Sequence, residues 1–169
     1  GAREFKVFVI AGENSGDIHG ANLMRAMKRI YPNVRAYGLG GPQLESAGVK
    51  LKANIVENLA IIGIVGVIAN FPEIRRLFKN TLDFLKKFRP DVLLLVDYPG
   101  FNIRIAEQAK KLGIPVVWYI SPQIWAWHRS RMKQLARDTD RLAVILPFEE
   151  PIFTAAGARA VFVGHPLAD

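Results

Sequence analysis

The chain has 169 residues, half of them apolar, and a formal net charge of +8. That length gives one domain as a prior and enough chain to bury a sizeable core, and the apolar content excludes a disordered protein. The absence of cysteine excludes a disulfide framework and thiolate metal sites and fits a reducing compartment.

In chain order, an apolar strand is predicted over Phe5–Ala11. It runs into Gly12-Glu13-Asn14-Ser15-Gly16-Asp17, a small polar turn that opens a helix from about Ser15 to Ile30. Leu23, Met24, Met27 and Ile30 form one apolar stripe on that helix, and Pro32-Asn33 breaks it. A strand over Val34–Tyr37 is followed by Gly38-Leu39-Gly40-Gly41-Pro42. Pro42 starts a short helix that Gly48 ends, and a brief strand follows near Val49–Lys52. Residues 55–71 fit either a buried helix or an exposed apolar patch. The next helix, Pro72–Phe88, places Ile74, Leu77, Phe78, Leu82, Leu85 and Phe88 on one side and Arg75, Arg76, Lys79, Lys86 and Lys87 on the rest.

Val92–Val96 is apolar throughout and reads as a strand buried on both faces. Asp97-Tyr98-Pro99-Gly100 is the loop after it, and Asn102 is the expected cap of a helix ending at Gly113. A strand over Pro115–Ile120, the loop Ser121–Trp127 and a basic helix, Arg129–Arg137, come next. A strand at Leu142–Leu146, a helix from Phe148 to Ala156 and a last strand at Ala160–Val163 complete the order. The alternation predicts an α/β fold, a Rossmann-like open and mostly parallel sheet with helices on both faces. Strand order is expected to reverse between the first strand and Val92–Val96. That opens a crevice between the Gly12–Asp17 turn and the Asp97–Asn102 loop.

The crevice collects the candidate chemistry. A helix start favours an anion, yet the turn carries Glu13 and Asp17, which suit sugar hydroxyls better than a bare phosphate. Their bland reading is helix capping, with Asp17 in the first turn and Ser15 as an ordinary N-cap. Gly12, Gly16 and Gly20 are spaced by four, so the dinucleotide fingerprint is absent, as is the P-loop lysine. Asp97, just beyond a buried strand, is placed to take a proton from an attacking hydroxyl; the alternative is a loop aspartate capping the next helix. Trp125 and Trp127 could stack on a sugar face or close the sheet end as a lid. His165 follows a strand, and the histidines lack metal-ligand spacing, so no metal is expected. No run reaches the ~18 apolar residues of a membrane span. The basic residues carry no nucleic-acid motif, so no nucleic-acid partner is expected. The 59–69 run beside a basic helix fits interfacial attachment to a membrane.

Six stretches carry a resemblance: Ala11-Gly12-Glu13-Asn14-Ser15-Gly16-Asp17, Leu59-Ala60-Ile61-Ile62-Gly63-Ile64-Val65, Asp97-Tyr98-Pro99-Gly100-Phe101-Asn102, Ser121-Pro122-Gln123-Ile124-Trp125-Ala126-Trp127, Leu146-Pro147-Phe148-Glu149 and Val163-Gly164-His165-Pro166. In that order the chain resembles the N-terminal half of the lipid-A-disaccharide synthases, bacterial glycosyltransferases of lipid A assembly. The resemblance implies a GT-B architecture of two Rossmann-like domains. Residues 1–169 would form the acceptor-side domain, the UDP-sugar domain lying outside this chain and the chain alone being inactive. It implies inverting transfer of 2,3-diacylglucosamine from UDP to 2,3-diacylglucosamine 1-phosphate (lipid X), giving a β-1,6-linked disaccharide 1-phosphate and UDP. The UDP-linked donor is a co-substrate, and no cofactor is expected.

By the same resemblance Asp97 activates the acceptor hydroxyl, and Glu13, Ser15, Asp17 and Asn102 occupy polar cleft positions. Asn14, Ser121, Trp127 and His165 complete the candidate substrate-binding set. Ile61, Ile62, Ile64, Val65, Val67 and Ile68 are the candidate membrane and acyl-chain contacts. The implied location is cytoplasmic, peripheral on the inner face of the inner membrane. Two other readings stay open at this point: a stand-alone Rossmann or flavodoxin-like nucleotide-binding module, and a non-catalytic domain that binds a membrane or a partner.

Overall fold

A computed structural model of the chain describes residues 4–12, 14–54, 71–96, 99–119, 137–138, 141–144 and 160–162. Its strands are β1 (Phe5–Ala11), β2 (Val34–Gly40), β3 (Lys50–Asn54), β4 (Val92–Val96), β5 (Val116–Tyr119), β6 (Arg141–Val144) and β7 (Ala160–Phe162). Its helices are α1 (Asn14–Ile30), α2 (Pro42–Ser46), α3 (Phe71–Phe88) and α4 (Pro99–Lys111). The strands form one sheet in the order β3-β2-β1-β4-β5-β6-β7, every pair parallel. The order reverses between β1 and β4, as the sequence predicts.

β1 lies inside the sheet, between β2 and β4, and can be buried on both faces. Phe8 and Ile10 enter a core with Leu93, Leu95, Trp118 and the inward residues of α3 and α4. Val7, Val9 and Ala11 enter a second core with Leu94, Val96, Ala21, Met24 and Leu44, under α1 and α2. Each such side chain contributes about 1.5–3 kcal/mol when fully buried. The helices therefore cover both faces, and the continuous apolar run of β4 serves both cores at once.

Three local expectations are corrected. β2 runs to Gly40 instead of ending at Tyr37, with Gly38 beside Val9 and Leu39 beside Ile10. Gly38 allows this: a Cβ there would lie 2.8 Å from Val9 Cγ1 and 3.1 Å from Val49 Cγ1, and closer still to the Val9 carbonyl oxygen. The glycine marks a close backbone approach inside a sheet, not a turn. Ile30, at the end of the apolar stripe, is 70% exposed, while Met24 on that stripe is fully buried. Asn102 is not the cap of α4. The helix already begins at Pro99, a residue suited to a first helical position, and Asn102 lies one turn inside it. At the far end Gly113 adopts φ +75°, the left-handed stop expected there. The predicted helices at Arg129–Arg137 and Phe148–Ala156 and the run 55–70 lie outside the described residues, except for Arg137.

Candidate functional site

In an open parallel sheet, ligands bind beyond the carboxyl ends of the strands where strand order reverses. Here that point is the gap between Ala11 of β1 and Val96 of β4. A helix starts on each side of it: α1 at Asn14, packed on one face, and α4 at Pro99, packed on the other. Both helices thus direct unpaired N–H groups and the positive ends of their dipoles toward the same crevice. Asp97 falls between Val96 and Pro99 in the chain, and Glu13 between Gly12 and Asn14. Both lie outside the described residues, as do Ser121, Trp127, His165, Ile61, Ile62, Ile64, Val65, Val67 and Ile68. Asn14 and Ser15 form the first turn of α1.

Asp17 and Asn102 are placed in full. Asn102 is completely buried in the first turns of α4, on the β4 side of the gap. Asp17 is only 2% exposed. Its carboxylate accepts backbone N–H bonds from Gly41 (3.0 Å), Gln43 (2.9 Å) and Leu44 (3.0 Å). It therefore caps α2, not its own helix, and in this arrangement it does not present a free carboxylate to a substrate. α2 needs this help because its N-cap residue is Gly41, which has no side chain to offer.

Gly16 and Gly20, four residues apart, both lie on the packed side of α1. A Cβ at Gly16 would lie 3.6 Å from the Val96 carbonyl oxygen and 3.7 Å from Ala11 Cβ. One at Gly20 would lie 3.2 Å from Leu44 Cδ2 and 3.6 Å from Val96 Cγ2. The Gly16 contacts with the ends of β1 and β4 are of ordinary van der Waals length, and Gly20 is tight only against Leu44 Cδ2 of α2.

Among the described residues, the shifts in protonation lie away from the crevice, on exposed Arg35 and Arg137 and on partly buried Tyr37. Arg137 is held further in its charged form by a hydrogen bond to adjacent Asp138 (3.1 Å). The Tyr37 phenol is lowered from its ordinary 10.0, chiefly by a hydrogen bond from Arg35 (3.0 Å), with the charges of Arg35, Lys50 and Lys52 in support and burial opposing. A phenol lowered in the folded state adds stability as pH rises through its folded value, complete above its unfolded value and lost on the way down. Ultraviolet titration is expected to show one tyrosine ionising early. Arg35→Gln should move it back toward 10.0, and an unmoved titration would assign the early phenol to another residue.

A parallel α/β sheet whose order reverses between two helix starts is a Rossmann-like fold, and its solved neighbours match it to one half of a GT-B fold. The chain superposes on a UDP-GlcNAc 2-epimerase from Neisseria meningitidis bound to UDP-GlcNAc with TM-score 0.67 at 12% identity, covering 95% of this chain and 46% of that one. It superposes on MurG of Acinetobacter baumannii with TM-score 0.61 at 14% identity, covering 95% and 45%. At such identities the likeness concerns the fold alone.

The family model described as lipid-A-disaccharide synthetase matches residues 7–169. This chain belongs to that family. It is 44% identical over 164 residues to the lipid-A-disaccharide synthase of Geobacter metallireducens, covering 97% of this chain and 42% of the relative. It is 47% identical over 161 residues to that of Nitrosococcus oceani, covering 95% and 41%. The chain thus spans about two fifths of the length of these curated relatives.

Proposed function

We propose that this chain is the acceptor-binding side of an inverting glycosyltransferase. The reaction moves 2,3-diacylglucosamine from UDP to 2,3-diacylglucosamine 1-phosphate, and a facing second domain supplies the UDP-sugar site. The observation that carries the reading is family membership across residues 7–169, and the crevice geometry supports it.

In a single displacement the acceptor hydroxyl attacks the anomeric carbon from the face opposite the UDP oxygen. The new C–O bond forms as the bond to UDP breaks, UDP leaves, and the anomeric configuration inverts. Asp97, joined to the end of β4, takes the hydroxyl proton as general base. The helix starts at Asn14 and Pro99 favour the acceptor's phosphate. Glu13, Asn14, Ser15, Asn102, Ser121, Trp127 and His165 are the remaining candidate contacts. The UDP-linked sugar is a co-substrate, and no cofactor or metal enters the scheme. The test is to incubate the complete gene product with both diacylglucosamine substrates and analyse the products by mass spectrometry. A β-1,6-linked disaccharide 1-phosphate with one UDP per turnover is expected. UDP release without disaccharide, or an epimerised UDP-sugar, would replace the reading.

We further propose peripheral attachment to the cytoplasmic face of the inner membrane through Ile61, Ile62, Ile64, Val65, Val67 and Ile68. Support comes from α3, which starts next in the chain and exposes Arg75, Arg76 and Lys79. No helix among the described residues is long and apolar enough to cross a membrane. Ile61→Asp together with Ile64→Asp is expected to reduce co-sedimentation with anionic vesicles at least about tenfold. Unchanged binding would remove this run from the account.

A further inference from the structure

We propose that Asp17 is a positioning residue: it clasps α2 to the first turn of α1 and so holds the helix start, with Asn14 and Ser15, that forms one wall of the crevice. The inference rests on the function proposed above but stands on its own geometry. Pro42, the first residue of α2, has no N–H. The N–H groups around it, of Gly41, Gln43 and Leu44, all go to Asp17, and the next one, of Glu45, is already bonded to the Gly41 carbonyl oxygen at 3.3 Å. One carboxylate therefore satisfies the exposed donors of a helix start that has no cap of its own.

The clasp is double. Leu44, held through its N–H, also packs its side chain on Gly20 one turn further along α1. Gly16, the residue before Asp17, sits on Ala11 and Val96. The ends of β1 and β4, the start of α1 and the start of α2 are therefore tied together around Asp17. Val96 is the residue that delivers the chain to Asp97, and Ala11-Gly12 delivers it to Glu13. The ends of β1 and β4, from which the chain leads to both sides of the proposed acceptor site, meet at this knot. A buried carboxylate with three donors on it has little capacity left for a sugar hydroxyl, so its influence on the reaction runs through the backbone that it holds.

Asp17→Asn keeps the size, removes one acceptor and turns an N–H₂ donor toward backbone donors. In the complete gene product it is expected to speed hydrogen exchange at Gly41, Gln43 and Leu44 at least about tenfold, while strand amides of β1 and β4 stay protected. KM for the acceptor should rise about tenfold with KM for the UDP-sugar unchanged and kcat less affected. Lost turnover with normal exchange at the three amides would make Asp17 a substrate contact and overturn the proposal. Fast exchange with wild-type kinetics would reduce it to a cap without bearing on the site, and also overturn it. Should Asp17→Asn fail to fold, Gly20→Ala loosens the same clasp from the other side by pushing on Leu44. It is expected to give the same KM signature at smaller size, and unaltered acceptor KM with displaced Leu44 would overturn the proposal. A wild-type protein that makes no disaccharide refutes the assigned reaction but not the clasp, which the exchange rates decide.

Discussion

Asp97→Asn in the complete gene product is expected to lower kcat by about 10²–10⁴-fold, the range that a positioned general base contributes. The amide has the shape of the carboxylate and can accept a hydrogen bond from the acceptor hydroxyl, so KM for both substrates should stay close to wild type. What it cannot do is take the proton as the C–O bond forms. Asparagine also adds no bulk beside Val96, which is fully buried at the end of β4, so folding should be intact and thermal unfolding unchanged. The pH profile supplies a second readout. A carboxylate base must be ionised, so wild-type kcat/KM falls on the acid side as that carboxyl protonates, and the variant should lose this limb. Turnover within threefold of wild type, with folding preserved, would show that another group takes the proton.

The two strands that flank the crevice were legible in the sequence because buried parallel strands leave plain traces. The strands Phe5–Ala11 and Val92–Val96 fall where apolar runs end in small polar turns, and the structure gives both with the same bounds. From those two and the helices between them the reversal of strand order follows, and with it the crevice.

Long-range partners were not legible. Gly38 and Gly40 read as lying beyond the end of a strand, since their reason is a neighbour: Val9 on the next strand for one and Leu44 of α2 for the other. Asp17 read as a first-turn charge or a ligand, because its three partners lie 24 to 27 residues further on. One sequence signal did point there. A helix that begins Gly41-Pro42 has no capping side chain of its own, so its cap must come from elsewhere. Asn102 shows the opposite failure: a good capping residue type was outranked by Pro99, which fixes the helix start three residues earlier. Ile30 keeps the helical period of its stripe yet is exposed, because periodicity gives the direction of a side chain and not whether anything lies beneath the last turn.

Trp118→Ala is expected to cost about 3–5 kcal/mol, a large share of the roughly 5–15 kcal/mol that holds such a chain folded. Trp118 is fully buried in β5, opposite Leu95 of β4, in the core that also holds Phe8, Phe101, Ile105 and Ala109. Removing the indole leaves a cavity between the sheet and α4 that backbone paired on both sides cannot collapse to fill. The phenylalanine variant should behave differently. Trp118 Nε1 is buried and has no hydrogen-bond partner among the described residues, and an unmet buried donor of this kind costs about 1–3 kcal/mol. Trp118→Phe gives up part of the ring contact but removes that cost. The two terms offset, and the net change should stay within about 1.5 kcal/mol. Urea unfolding of the two variants beside wild type decides it: the alanine variant should lose a large share of its midpoint at constant slope, and the phenylalanine variant little. Equal losses would mean that the indole N–H has a partner, and that this end of β5 is held by a polar bond as well as by packing.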